Sequence, residues 1–121
     1  MNIINLTPHP ISIMPHQFGE LELDGMTIPP SGTVARVASK PGEKIFPPGD
    51  LPLYTAPTWG EVEGLPAEYH EFTIYLVSAL VAARCVGRKD VFSPGTGPND
   101  GAIRDAKGQI MAVTRLIQAP Q

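Results

Sequence analysis

Cations, an aromatic ring and a glycine-rich loop lie close together in the last third of the sequence. Arginine can donate two parallel hydrogen bonds to phosphate oxygens, and an aromatic ring can stack on a base. The side chains of Asn and Asp can hydrogen-bond to base edges or ribose hydroxyls. The residues that predict ligand contact here are Arg88, Lys89, Phe92, Thr96, Asn99, Asp100, Arg104 and Arg115. Together they comprise the parts of a nucleotide pocket.

The loop itself matches neither of the common phosphate-binding motifs. Gly95-Thr96-Gly97 lacks the Gly-Lys-Ser/Thr ending of a P-loop and the full Gly-x-Gly-x-x-Gly of a dinucleotide fold. A Gly/Thr-rich loop beside cations can still offer backbone N–H groups and hydroxyls to a phosphate. The sequence therefore predicts a phosphate-bearing ligand without identifying it.

The sequence contains no recognisable motif for catalytic groups that would chemically convert a bound ligand. His9, His16 and His70 have no metal-ligand spacing, and no serine sits in a nucleophile elbow. Glu61 and Glu63 share one face of a predicted strand, where a solvated surface is the simpler interpretation than paired acid–base catalysis. Binding without turnover is the prediction, with no catalytic residue, metal or cofactor.

Charge is divided unevenly along the chain. Residues 1–83 carry three cations and nine acids, a net charge of −6, whereas residues 84–121 carry six cations and three acids, a net charge of +3. A basic final third on an acidic protein indicates a local anion site, because a nucleic-acid-binding domain is normally basic as a whole.

The elements that must position these residues centre on the stretch 72–92. Phe72–Val77 is β-branched and aromatic, as in a buried strand, and Ser78 stands where a helix N-cap belongs. An apolar helix should follow to Val86 and end at Gly87, which tolerates a left-handed backbone. A helix that is apolar all round is normally buried on every side, so we expect a homo-oligomer with the helix near its interface.

Fourteen prolines and twelve glycines in 121 residues predict many short elements and turns. The predicted fold class is α+β, mainly short antiparallel strands with one apolar helix at about 78–86, in a single domain spanning 1–121. A C-terminal β-hairpin is predicted from Ala102–Arg104 and Gln109–Ile117, and another hairpin turn at Asp24-Gly25. Residues 40–52, with four prolines, predict an extended loop.

Cys85 is the single cysteine, which excludes an intramolecular disulfide. The N-terminus has no signal-peptide pattern, and no apolar run approaches the ~20 residues of a membrane span. These features predict a soluble cytoplasmic protein.

Five segments resemble the phage Thoeris anti-defence protein 1 family. They are Asn-Leu-Thr-Pro-His-Pro-Ile (5–11), Trp-Gly-Glu-Val-Glu-Gly-Leu-Pro (59–66), Thr-Ile-Tyr-Leu-Val-Ser-Ala-Leu-Val (73–81), Gly-Arg-Lys-Asp-Val-Phe-Ser-Pro-Gly-Thr-Gly-Pro (87–98) and Ile-Arg-Asp-Ala-Lys-Gly-Gln-Ile (103–110). The resemblance covers most of the chain.

The resemblance implies a sponge that sequesters cyclic ADP-ribose isomers, made by bacterial TIR-domain immune enzymes, without cleaving them. It implies dimers that can assemble into hexamers, and in some members separate sites for cyclic oligonucleotides. The family's pocket uses aromatic, Asn and Arg side chains, which map onto Phe92, Asn99, Arg104 and Arg115. It further implies action in the cytoplasm of the host cell.

Two other functions remain open from the residues alone. A phage structural or protein-interaction module would use the basic final third to contact a protein partner. A small nucleotide-processing enzyme would bind the same class of ligand and alter it.

Overall fold

Short strands and one short helix account for the regular structure of the described residues. The computed structural model describes residues 2–14, 25–46, 49–67 and 71–121. The strands are β1 (Asn2–Asn5), β2 (Ile11–Ile13), β3 (Met26–Ile28), β4 (Arg36–Lys40), β5 (Lys44–Ile45), β6 (Leu53–Tyr54), β7 (Thr58–Glu63), β8 (Thr73–Leu76), β9 (Val91–Pro94), β10 (Ile103–Arg104), β11 (Ile110–Ala112) and β12 (Leu116–Gln118), and the helix is α1 (Ala79–Ala83). The coarse prediction of a strand-rich α+β fold is confirmed.

A four-stranded sheet with the order β1-β8-β9-β12 lies at the centre. Strands β1, β8 and β9 run parallel, and only β9 and β12 pair antiparallel. Five of the seven strand pairs among the described residues are antiparallel, as the prediction of mainly antiparallel strands expects, whereas the two parallel pairs of the central sheet were not predicted. Strands β8 and β9 are parallel because α1 and its flanking turns carry the chain back across the sheet, and a crossover of about a dozen residues permits parallel pairing.

Side chains that alternate along β8 form two apolar clusters, one on each face of this sheet. Tyr75 and Val77 join a cluster with Val81 of α1, while Leu76 packs with Ile11 and other residues of the second. Successive side chains of a strand point to opposite faces, so one strand supplies both cores. The predicted buried strand is confirmed for Thr73–Leu76, with Val77 buried just beyond it, whereas Phe72 precedes the strand and is 68% exposed.

Helix α1 begins as predicted and ends earlier. The N–H of Val81 donates to Oγ of Ser78 at 3.3 Å, which confirms the N-cap. The helix ends at Ala83 because the N–H groups of Arg84 and Cys85 bond to carbonyls three residues back, the tighter 3₁₀ pattern. Gly87, with a φ of 89°, then turns the chain towards β9.

Only one side of α1 is covered within a single chain. Val81 and Ala82 are buried, but Leu80 is 47% exposed, and Val86, just beyond the helix, is 66% exposed. The expectation that the helix is buried on every side is therefore not met by one copy of the chain.

A ribbon of two paired segments extends from residue 36 to residue 63. Strand β4 pairs antiparallel with β7, and β5 pairs antiparallel with β6 farther along. Residues 40–52, predicted to be an extended loop, thus contain strand β5. We call the described part of this ribbon, residues 36–46 and 49–63, the arm.

The predicted hairpins differ from the observed pairing. Strands β2 and β3 pair with each other, and the proposed turn at Asp24-Gly25 lies partly outside the described residues. The C-terminal hairpin is not confirmed as one element, because its second strand is divided. Strand β11 pairs with β10, whereas β12 leaves to pair with β9 in the central sheet.

Candidate functional site

A buried amide holds the turn that follows β1. The Nδ2 group of Asn5 donates to the carbonyl oxygens of His9 and Ile28 at 2.9 and 3.0 Å, and its Oδ1 accepts from the N–H and hydroxyl of Thr7. Asn5 is only 1% exposed, so these bonds replace the water that its amide has lost. The Thr7–Pro10 turn is consequently fixed in position.

The three parallel strands end on one side of a cleft of about 410 Å³. Each strand contributes the residues that follow or complete it: Thr7, His9 and Pro10 after β1, Ser78 and Ala79 after β8, and Pro94 and Thr96 at β9. The carboxyl edge of parallel strands is a usual place for ligands in open sheets, because loops diverge there and leave a crevice. Its volume is within the range of small-molecule sites.

The remaining lining of the cleft is mainly apolar. It is formed by β11 with the adjoining Val113, and by Ile11 and Ser12 of β2. Exposed His9 and Thr96 add polar groups on the sheet side. The cleft therefore offers a hydrophobic surface for a ring and a few polar groups to orient it.

The glycine-rich loop after β9 is organised by its own acid. Oδ2 of Asp100 accepts from the N–H of Gly97 at 2.8 Å, and the N–H of Gly95 donates to the carbonyl oxygen of Arg115 at 2.9 Å. Both glycine N–H groups are thus engaged within the protein. The expected phosphate cradle of backbone N–H groups is therefore reduced, and side chains must supply more of any anion contact.

Arg115 is brought to this loop by the turn between β11 and β12. A Cβ placed on Gly95 would lie 2.8 Å from Cγ of Arg115, so the aliphatic stem of the arginine runs against the loop. The hydroxyl of Thr114 donates to the carbonyl oxygen of Asp100 at 3.0 Å and ties the two segments together. Thr96, Asp100 and Arg115 therefore form one unit beside the cleft.

Arg88 has a structural partner in Asp90. Its Nε and Nη2 donate to the two carboxylate oxygens at 2.8 and 2.9 Å, and Nη2 also reaches the carbonyl oxygen of Pro66. The hydrogen bonds to Asp90, which is 2% exposed, raise the pKa of Arg88 above its usual range. The guanidinium of Arg88, which was predicted to bind a phosphate, instead donates two hydrogen bonds to this buried carboxylate.

The structure does not bring Arg88 and Lys89 together with the loop. Both precede β9 and the loop follows it, and four extended residues separate the two by roughly 13 Å. Lys89 is exposed at that far end. The sequence predicted one site that runs from residue 88 into the loop. The intervening residues form strand β9, which separates the two parts.

The other predicted site residues, Phe92, Asn99 and Arg104, lie in different environments. Phe92 is half-buried and packs against the second apolar cluster, so its ring contributes to the core. Asn99 is exposed in the loop. Arg104 is exposed on β10, and its Nη1 donates to the carbonyl oxygen of Gly108 at 2.8 Å, within its own hairpin.

Sequence reasoning missed the cleft and the contributions of Asn5 and His9. The residue types of the segment Thr7-Pro8-His9-Pro10 do not by themselves predict a ligand site. Its pairing beside β8 and β9 depends on parallel contacts between distant segments, which no local pattern reveals. The paired prolines of a rigid turn were the one available signal.

Within the four described ranges, no three His, Cys, Asp or Glu side chains are grouped to hold a metal ion. His16 and His70 lie outside those ranges. No helix among the residues described has the length and apolar character needed to cross a membrane.

Comparison of the chain with protein-family models, with curated proteins and with solved structures finds no match. The resemblance noted from the sequence segments therefore rests on those segments alone.

Proposed function

We propose that this protein is a phage anti-defence sponge that binds cyclic ADP-ribose-type immune second messengers without cleaving them. The observation that carries the proposal is the cleft at the carboxyl ends of three parallel strands, joined at Thr96 to the loop that holds Arg115. Related cyclic oligonucleotides are a second ligand class for the same proposal. The chain would act in the host cytoplasm as a homo-oligomer, a dimer or a hexamer.

The chemistry of the cleft suits a molecule with a base and phosphates. The apolar wall at Ile110–Val113 can cover the face of a base, since stacking and burial need no hydrogen-bond partner. Thr96, which lines the cleft, and Arg115, whose stem runs against the same loop, are the hydroxyl and the cation that we assign to the phosphates. Arg104 and Asn99 are further candidates for this role, carried by the sequence resemblance.

Sequestration requires tight binding rather than reactive groups. A sponge must compete with a receptor, so the ligand should be enclosed and few of its phosphate oxygens left without a partner. We propose no catalytic residue for this chain, because the cleft hydroxyls of Thr7, Ser12 and Ser78 bond to Asn5, Thr27 and the N–H of Val81 rather than to the imidazole of His9.

Incubation with cyclic ADP-ribose isomers followed by heat denaturation tests this function. Intact isomer that disappears from solution on incubation and returns after denaturation supports sequestration. Recovery of an altered nucleotide would instead support the nucleotide-processing enzyme. Absence of binding would favour the structural or protein-interaction module.

Arg115→Ala tests the proposed pocket. Loss of one charge-assisted contact should weaken binding by roughly 10- to 100-fold in Kd, measured by isothermal titration calorimetry. Lys107→Ala is the matched control, because it removes an exposed cation from the turn between β10 and β11, away from the cleft. Equal affinities for Arg115→Ala and the wild-type protein would remove this pocket.

A further inference from the structure

The arm exposes large apolar side chains well beyond what its own pairing can cover. Phe46 is 89% exposed, Leu51 62% and Tyr54 61%. Ile45 and Leu53 beside them are also exposed. These five residues, which we call the arm tip, belong to or flank the two-residue strands β5 and β6.

A two-stranded ribbon in water is marginally stable at best, and it needs packing against another surface. Within the part of the chain that the structure describes, β4 and β7 form a sheet only with each other, as do β5 and β6. The arm tip therefore has a long apolar surface and little support from its own chain. Contiguous exposed apolar residues of this kind mark interaction sites.

The middle of the arm, at Trp59, lies beside the end of α1. The guanidinium of Arg84, at the end of α1, lies 5.7 Å from the centroid of the Trp59 ring in β7. Leu80 and Val86 are the exposed apolar residues at this helix. The arm tip and the helix thus present two uncovered apolar surfaces on neighbouring parts of one chain.

We propose that the arm tip of one copy packs across the exposed side of α1 in a second copy, and that the contact is reciprocal. In a two-fold dimer, each subunit supplies an arm tip to its partner and receives one on Leu80 and Val86. One contact made twice covers both apolar surfaces, which a single chain leaves open.

The area involved matches what a stable dimer requires. The rings of Phe46 and Tyr54 together leave roughly 300 Å² uncovered, taking ~200 Å² for a whole aromatic side chain. The three aliphatic residues of the arm tip add to that value. A standard interface buries about 800 Å² on each partner, so this arm supplies most of one side.

Charges agree with the same arrangement. Residues 43–54 carry Glu43, Lys44 and Asp50, a net charge of −1. Arg84 directly follows α1 and Lys89 lies beyond Gly87, and both are exposed cations, whereas Asp90 is buried against Arg88. Opposite signs favour the encounter of the arm tip with the partner's helix.

The mass of the protein in solution tests the arrangement, and no nucleotide is needed. We expect the wild-type protein at 50 µM to have twice the 13.0 kDa of one chain by light scattering. The double variant Phe46→Asp/Leu51→Asp should raise the dimer Kd at least ~100-fold and give the mass of a monomer. Met26→Asp is the control, an exposed apolar residue outside the arm and α1, and it should leave the dimer intact.

A mixing experiment distinguishes exchange from arm-to-arm pairing. The Leu80→Asp variant alone should also be monomeric, because it places a charge on the side of α1 against which the arm tip would pack. Mixed with Phe46→Asp/Leu51→Asp, it should form a mixed dimer, since one intact arm tip then meets one intact helix. A monomeric wild-type protein, a dimeric arm variant, or a mixture that stays monomeric would each overturn the proposal. The homo-oligomer is part of the proposed function, but ligand binding and mass are separate readouts, so either can fail alone.

Discussion

At the residue scale, the arginines of the final third differ in what they can still bind. The guanidinium of Arg88 is bound to Asp90, that of Arg104 donates to Gly108, and Arg115 is held along its stem while its charged end is at the surface. Sequence composition cannot separate these cases, because the partner of each arginine is set by the folded chain. Arg115 is therefore the cation to which we assign the ligand.

Arg88→Ala should destabilise the protein. Asp90 is buried, and loss of the guanidinium removes two charge-assisted bonds from its carboxylate, at a cost of about 2–3 kcal/mol in the free energy of unfolding. Chemical denaturation measures this. Lys89→Ala, at the exposed neighbouring position, should change stability by less than ~0.5 kcal/mol.

If Arg88→Ala were as stable as Lys89→Ala, the pair would be unimportant for folding. A loss of ligand affinity in a fully folded Arg88→Ala protein would show that Arg88 is part of the ligand site, which contradicts the separation described above.

Phe92 is a poor probe of ligand binding for a physical reason. Its ring packs against the second apolar cluster, and removal of a buried phenyl ring costs about 3–5 kcal/mol when burial is complete. Phe92→Ala should therefore lower the free energy of unfolding. A lower ligand affinity of that variant would combine two effects, the loss of the ring's contact and the disruption of strand β9.

At the element scale, the loop after β9 and the turn before β12 act as one unit. The N–H of Gly95 bonds to the carbonyl oxygen of Arg115, and Thr114 bonds to Asp100. This coupling arises because β12 returns to pair with β9, which places two loops distant in sequence side by side. The position of Arg115 therefore depends on the close approach at Gly95.

Gly95→Ala should displace Arg115 and weaken ligand binding. The added Cβ would lie 2.9 Å from the carbonyl oxygen of Arg115, so backbone must move, which costs about 1–3 kcal/mol. Thermal unfolding and calorimetric titration measure the two effects. Gly60→Ala is the matched control, because its Cβ would meet the nearest atom at 3.4 Å, an ordinary contact.

Equal melting temperatures for Gly95→Ala and Gly60→Ala would contradict the tight approach. Unchanged affinity in Gly95→Ala, despite lower stability, would show that the loop and Arg115 are not joint parts of the ligand site.

At the scale of the whole molecule, stability should depend on pH through the buried thiol. Cys85 is buried in the first cluster and its Sγ donates to the carbonyl oxygen of Val81. Burial, which disfavours the thiolate, raises the pKa of Cys85 above its ordinary value of 9.0, and Arg88 opposes the shift.

The free energy of unfolding should therefore fall as pH rises above about 8.5–9. In that range the unfolded chain releases the thiol proton and the folded chain retains it, so the slope reaches at most about 1.4 kcal/mol per pH unit until the folded pKa is passed. Urea denaturation between pH 7 and 10 measures the slope. Cys85→Ala should lack this component, whatever its absolute stability, and parallel slopes in the two proteins would contradict the prediction.

The arm gives the whole molecule its other unusual feature. The two apolar clusters are built from the central sheet, α1, the strand pair β2–β3 and the base of the arm, and the arm tip extends beyond them. A chain of this size with an uncovered arm and an uncovered helix side is best completed by a second copy, as proposed above. The proposed dimer would account for both exposed apolar surfaces.

Local chemistry in the sequence determined the elements of this fold. The β-branched run at 73–76, the hydroxyl of Ser78 and the abundance of Pro and Gly predicted a buried strand, a capped helix and many short strands, because each depends on neighbours within a few residues. The same reasoning identified the loop 93–101 and Arg115 as a candidate for anion binding.

Tertiary structure alone decided which residues share a site. Parallel pairing of β1 with β8 and of β8 with β9 collects three strand ends at one cleft, and it places Arg88 and Lys89 at the other end of β9. The pairing of β12 with β9 brings Arg115 to the loop. These contacts join segments tens of residues apart, and their register depends on which faces are buried together, a property that no short stretch of sequence carries.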